Sequence, residues 1–212
     1  MKKIEFRLPK PEYQIEESYK ALRTNLQFCG DDKKIIVITS CTPNEGKSTV
    51  SMNLSVSLAN SGKKTLLLDA DMRKSVILGK IHAGGQEILG LSHYLSGQAT
   101  LDDAMCATDI ADLYVIIAGS VPPNPAELLS SERFTRLLEK LRKIFDYIII
   151  DSAPLGSVID SAIVAKVSDG AILVIESGII SYRFAQDVLS QLQKSECPIL
   201  GTVLNKVDMH KA

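Results

Sequence analysis

The sequence has no excess of charge of either sign, no paired cysteines and no long apolar run. Lys and Arg number 24 against 25 Asp and Glu, a net charge of −1. No basic field therefore draws nucleic acid or anionic lipid, and no nucleic-acid partner is expected. Cys29, Cys41, Cys106 and Cys197 stand far apart with no Cys-x-x-Cys pair, and the only histidines are His82, His93 and His210. That set supports neither a zinc site nor a disulfide framework, and free thiols fit a reducing cytosol. No apolar run approaches the roughly 18 residues of a membrane-spanning helix. The opening MKKIEFRLPKPEY begins basic but lacks the apolar core of a signal peptide. Tyrosine also runs out: there are six, and none lies beyond Tyr182. What remains is 212 residues, 45% hydrophobic and 23% charged, the profile of one ordinary globular domain rather than a disordered chain.

Six short, β-branched apolar runs start at Lys34, Thr65, Tyr114, Tyr147, Ala171 and Leu200. They are near-continuous rather than alternating, as expected of strands covered on both faces. Segments of helical period lie between them. The clearest runs from Ala126 to about Phe145, with Leu128, Phe134, Leu137, Leu138, Leu141 and Ile144 as its stripe. Asn124-Pro125-Ala126-Glu127 reads as its cap, with Pro125 at the first helical position and Glu127 returning to the cap. Alternation of strand and helix predicts an α/β fold, a doubly wound, mostly parallel sheet with helices on both faces. Residues 1–33 read as an amphipathic helical preface to the same domain, on Ile15, Tyr19, Leu22 and Leu26, ended by Gly30-Asp31-Asp32. Residues 34–212 hold the sheet.

Three features carry chemistry. The first strand enters Ser40-Cys41-Thr42-Pro43-Asn44-Glu45-Gly46-Lys47-Ser48-Thr49 and then a helix, the setting of a phosphate-binding loop of P-loop NTPase type. Thr42, Asn44, Glu45, Gly46, Lys47, Ser48 and Thr49 are the candidate nucleotide-binding residues. Lys47 is placed to reach the β- and γ-phosphates and Ser48 to ligate Mg²⁺. Cys41 stands where the motif has its first glycine, and Asn44 is expected to supply a positive φ. The bland alternative is a lysine on a polar turn. Next, Leu66-Leu67-Leu68-Asp69-Ala70-Asp71 brings two carboxylates to a strand end, where residues two apart point the same way. Two acids beside a phosphate site repel unless a cation intervenes, and Mg²⁺ would leave one free as a base; a turn cap explains them without chemistry. Last, Tyr147-Ile148-Ile149-Ile150-Asp151 delivers a third carboxylate, at the sheet edge where such folds bind ligands.

Together the phosphate loop, the hhhDxD segment and the hhhhDSAP segment resemble bacterial tyrosine kinases of the capsule and exopolysaccharide type. Pro122-Pro123-Asn124-Pro125-Ala126-Glu127-Leu128-Leu129-Ser130 is also similar to a stretch of that family. The likeness implies ATP and Mg²⁺ as cofactors and protein tyrosine as substrate. By the resemblance, Lys47, Asp69 and Asp71 are catalytic: Lys47 stabilises the transferring phosphoryl group and Asp69 takes the tyrosine proton. Ser48, Asp71 and Asp151 hold the metal, and Asn205 lines the adenine pocket. Glu17, Lys20 and Arg23 resemble the family's Glu-x-x-Arg-x-x-Arg motif for ring-like self-association, with lysine replacing the first arginine. A plain helical pair of Glu16 with Lys20 reads the same residues differently. The resemblance further implies activation by the cytoplasmic tail of a transmembrane polysaccharide co-polymerase or adaptor, and a cytoplasmic position at the inner face of the membrane through that partner.

Several alternatives stay open. The family's tail tyrosine cluster has no counterpart after Tyr182, so the sequence is cut, the tail has been lost, or the acceptor lies on another protein. Asn205-Lys206-Val207-Asp208 also spells the guanine-reading motif of GTPases, although switch features are lacking. A regulatory ATPase of the Min/Par type would carry an extra lysine early in the loop, where Thr42 stands. A catalytically silent nucleotide-binding adaptor is the third class. Ser75–Gly97, rich in glycine (Gly79, Gly84, Gly85, Gly90), is expected to be a loop, either at the acceptor approach or plain surface.

Overall fold

The computed structural model describes residues 2–6, 8–9, 11–82 and 87–207; Gly84, Gly85, Asp208 and His210 lie outside them. The chain begins with β1 (Lys2–Phe6), α1 (Tyr13–Phe28), β2 (Ile35–Ser40), α2 (Lys47–Asn60) and β3 (Thr65–Asp69). A short β4 (Ile81–His82) leads to α3 (Leu91–Leu95), α4 (Leu101–Ala104), β5 (Met105–Thr108) and β6 (Leu113–Ile116). Then come α5 (Pro125–Ser130), α6 (Glu132–Arg142), β7 (Tyr147–Asp151), α7 (Asp160–Ala165), β8 (Gly170–Glu176), α8 (Tyr182–Gln193) and β9 (Ile199–Asn205).

One nine-stranded sheet runs in the order β4-β1-β5-β6-β3-β7-β2-β8-β9. All of its pairings are parallel except β1 with β4 and β5 with β6. The doubly wound α/β expectation is therefore met. Alternate strand residues enter opposite layers, as the pleat demands. Ile35, Val37, Leu66, Leu68, Ile148 and Ile150 pack with Phe134, Leu137, Leu141, Val164 and Leu192 from α6, α7 and α8. Ile36, Ile38, Leu67, Ile149 and Val174 pack on the other face with Val50, Leu54 and Leu58 of α2 and Leu26 of α1. Both faces of β2 are covered, all six of its residues being buried. Truncating one of these fully buried isoleucines to alanine should cost about 2–5 kcal/mol.

Four local readings need correction. The helix expected over Ala126–Phe145 is two helices: Ser131 is extended (φ −70°, ψ 148°) and its hydroxyl caps α6 by accepting from Phe134 N. Hydroxyl capping competes with helix continuation, and the stripe is buried at Phe134, Leu137, Leu138 and Leu141 but not at Ile144, which is exposed beyond the end of α6. Asn124 caps nothing with its side chain; its amide donates to the Glu127 carboxylate at 2.6 Å instead. The first residues are not only helical, because β1 joins the sheet beside β5. The Ser75–Gly97 segment contains a 3₁₀ turn over Leu78–Lys80 as well as β4 and α3.

Candidate active site

Sheet order decides where the three acids meet. β7 lies between β3 and β2, with Asp151 opposite Asp69 on one side and Ile38 on the other. The phosphate loop follows β2, so loop and carboxylates converge at the carboxyl ends of neighbouring parallel strands. Sequence reasoning placed Lys47, Ser48, Asp69, Asp71 and Asp151 together, and here they are together.

The loop is held from both sides. Asn44 has φ 70° and Gly46 φ 92°, left-handed values that asparagine and glycine tolerate best. A Cβ on Gly46 would also collide with the Asn205 amide. Glu45 is buried, and its carboxylate accepts from Thr42 N, from Thr42 Oγ1 at 3.0 Å and from Glu176 N at 2.9 Å. Asn205 Nδ2 donates to Glu45 O at 2.8 Å, and Lys206 Nζ donates to Asn44 O at 2.7 Å. Glu45 thus shapes the loop from within, and Asn205 is a brace behind it. Thr42 is half-buried, while Thr49 is exposed on the first turn of α2. Gly156 was not singled out by sequence, yet a Cβ there would strike Cys41 O.

Lys47 is buried, and its Nζ lies 3.0 Å from Asp71 Oδ2, 3.9 Å from Asp151 Oδ2 and 3.2 Å from Ser48 Oγ. Burial opposes its charge, but Asp151 and Asp71 outweigh that and raise its pKa. Asp69 is wholly buried. It accepts from Ser75 Oγ at 2.5 Å and from Asp71 N at 3.1 Å. Burial, with Asp151 and Asp71 nearby, pushes its pKa up to about 8. Burial likewise raises Asp151, against the pull of Lys47. Ser51, one turn after Lys47, lies 3.1 Å from Asp151 Oδ1. Sequence reasoning missed Ser51 and Ser75; the four-residue spacing from Lys47 was the available signal for Ser51.

Three carboxylates around one ammonium leave a negative excess, which a cation or a proton must balance. Asp151 Oδ2 is buried without a hydrogen-bond partner. Such an orphan is costly unless a ligand or water completes it.

Glu17, Lys20 and Arg23 are engaged within the chain. Lys20 Nζ bridges Glu16 at 3.0 Å and Glu17 at 2.9 Å, and these hydrogen bonds push its pKa up to about 12. Arg23 donates to Ser57 O of α2 at 2.9 Å. Among the described residues no helix is long and apolar enough to cross a membrane.

The AAA domain family matches residues 33–199. Tyrosine-protein kinase CpsD of Streptococcus agalactiae serotype III (strain NEM316) is 48% identical over 193 residues, covering 91% of this chain and 83% of that protein. Succinoglycan biosynthesis transport protein ExoP of Rhizobium meliloti (strain 1021) is 33% identical over 193 residues, 90% of this chain but 24% of ExoP. Among solved structures, the chimerical protein CapA2B2 superposes with TM-score 0.86 at 31% identity, covering 96% of this chain and 92% of that one. The kinase domain of Escherichia coli tyrosine kinase ETK gives 0.84 at 32% identity, with 91% and 75% covered. MinD from Pyrococcus horikoshii, complexed with Mg-ADP, gives 0.69 at 29% identity, with 82% and 71% covered.

Proposed function

The chain belongs to the bacterial tyrosine-protein kinases within the AAA domain family, and from that premise we propose that it transfers the γ-phosphoryl group of ATP to protein tyrosine, with Mg²⁺, in the control of capsule or exopolysaccharide synthesis. The observation that carries the reading is the Lys47 ammonium set against Asp71 and Asp151 where the phosphate loop and two further strand ends converge. The orphaned Asp151 Oδ2 and the negative excess suit a divalent cation. Ser48, Asp71 and Asp151 would hold Mg²⁺. Bound there, Mg²⁺ would neutralise charge on the nucleotide phosphates.

The protein's own groups do the rest. Thr42, Asn44, Glu45, Gly46 and Thr49 form the loop and first helical turn around the phosphates, Glu45 by fixing the loop's shape. Lys47 exchanges Asp71 for a phosphate oxygen when nucleotide enters, and stabilises charge on the transferring group. Asp69 accepts the tyrosine proton. Its pKa, pushed up to about 8, lies closer to that of the phenol than an ordinary carboxylate's would, and a phenol titrates at about 10. Positioning and electrostatics supply most of the acceleration. Asn205 holds the loop at the base end of the nucleotide.

We extend the reading to partners. A transmembrane co-polymerase or adaptor, through its cytoplasmic tail, activates this chain and holds it at the inner face of the membrane. ExoP supports this, since the segment resembling the present chain is only a quarter of that transport protein. Self-association through Glu17, Lys20 and Arg23 requires their present intrachain partners to be exchanged. A Min/Par type ATPase shares the fold but draws less support, because Thr42 replaces the early lysine and MinD superposes less closely than the kinases. The test is incubation with Mg-ATP, the adaptor tail and a tyrosine copolymer, read with anti-phosphotyrosine. Phosphotyrosine is expected; ATP hydrolysis without it would favour the ATPase, and neither would favour the silent adaptor.

A further inference from the structure

Asp160 opens α7 with no exposed surface, and its partner comes from far along the chain. Arg73, two residues past Asp71, donates Nε to Asp160 Oδ2 at 2.7 Å and a terminal nitrogen to Oδ1 at 3.0 Å. The guanidinium side chain is 42% exposed, whereas the carboxylate is fully buried. This is a two-bond fork, and it fixes direction as well as distance.

The first turn of α7 is also fastened elsewhere. Ser161 Oγ donates to Ala153 O. Thr39 Oγ1 donates to Ser161 Oγ at 2.9 Å, and Ser152 Oγ does so at 3.2 Å. Thr39 is the penultimate residue of β2, just before the phosphate loop, and Ser152 and Ala153 follow Asp151. One helical turn therefore grips the ends of β2 and β7 by hydroxyl bonds and the segment after β3 by the Arg73 fork. Those are the three pieces that bring Lys47, Asp151 and the Asp69–Asp71 pair together. Lys74 N, next to Arg73, donates to Asp71 Oδ1 at 3.0 Å, so the backbone that Arg73 anchors is the backbone that aims Asp71.

We propose that Arg73 and Asp160 are positioning residues for phosphoryl transfer: their ion pair clamps the segment after β3 to α7 and so fixes Asp71 against Lys47 and the metal. Neither touches the nucleotide. The inference rests on the kinase reading above.

The test compares the full chain with Arg73→Lys, Arg73→Gln and Asp160→Asn in tyrosine phosphorylation, and in binding of a fluorescent ADP analogue with and without Mg²⁺. For Arg73→Gln, kcat is expected to fall roughly 10- to 100-fold, the cost of a misplaced group of about an ångström, with KM for Mg-ATP rising only as far as the Mg²⁺-dependent affinity falls. Analogue affinity without Mg²⁺ should be retained while the gain on adding Mg²⁺ shrinks. Arg73→Lys, keeping the charge but losing the fork, should fall between; if the glutamine variant does not fold, the lysine variant decides. A lowered melting temperature with kcat and the Mg²⁺-dependent gain unchanged in Arg73→Lys would overturn the proposal, as would an equal loss of affinity with and without Mg²⁺. If the parent chain hydrolyses ATP without forming phosphotyrosine, the kinase reading fails instead, and the clamp is scored on the hydrolysis rate and the Mg²⁺-dependent gain.

Discussion

Two lysines in this chain each sit among acidic side chains, and they differ in everything but that. Lys20 on α1 bridges Glu16 and Glu17 with all three side chains 43–47% exposed. Lys47 on α2 meets Asp71 and Asp151 with side-chain exposures of 11%, 4% and 1%. In water the first group is screened and locally satisfied, so it needs nothing further. Behind protein the second leaves a carboxylate oxygen without a hydrogen-bond partner, and burial together with the neighbouring carboxylates drives the Asp69 pKa up to about 8. Similar residue types therefore yield a solvated helix face in one place and a charge-hungry site in the other; burial makes the difference.

The largest effect should come from removing the buried cation. Lys47→Met is expected to abolish phosphotyrosine formation while far-ultraviolet circular dichroism stays native. Asp69→Asn should do the same, because the amide cannot accept the phenolic proton.

A pH dependence sharpens the comparison further. The native Asp69 holds its proton up to about pH 8, whereas the unfolded chain releases it near pH 4. The unfolded state thus binds fewer protons between those values, and this group's contribution to stability declines as pH rises from about 4 to 8. Melting curves without nucleotide or Mg²⁺ should show the gap between Asp69→Asn and the parent widening in favour of the variant across that range. Activity should run the other way, kcat/KM rising with pH as the base ionises, with Mg²⁺ beside Asp71 drawing that rise below the metal-free value.

A smaller loss is expected from Ser51→Ala, which removes the hydroxyl beside Asp151 Oδ1. It should lower stability by about 1 kcal/mol in urea unfolding. Least of all, Lys20→Ala should leave the melting temperature and the basal kinase rate unchanged. A clear loss of rate there would mean that α1 reaches the active site through self-association.

The sequence made the central sheet legible because strands covered on both faces have no polar alternation to confuse them. The left-handed Asn44 was legible for a local reason, since a phosphate loop needs such backbone at set places. β1 and β5 were not, being short stretches, KKIEF and MCAT, whose pairing depends on the far edge of the sheet. The break at Ser131 was hidden by a leucine stripe that continues past it. The Arg73–Asp160 pair spans 87 positions, and no local pattern records a contact of that kind. Asp69 was legible as a carboxylate at a strand end, but its burial beneath Ser75 was not.

The most direct test of the account is transfer of labelled γ-phosphate from Mg-ATP to a tyrosine copolymer, with the adaptor tail present, by the parent chain and by folded Lys47→Met. Label on tyrosine with the parent and none with the variant is the predicted result. Phosphotyrosine formed equally by both would contradict it.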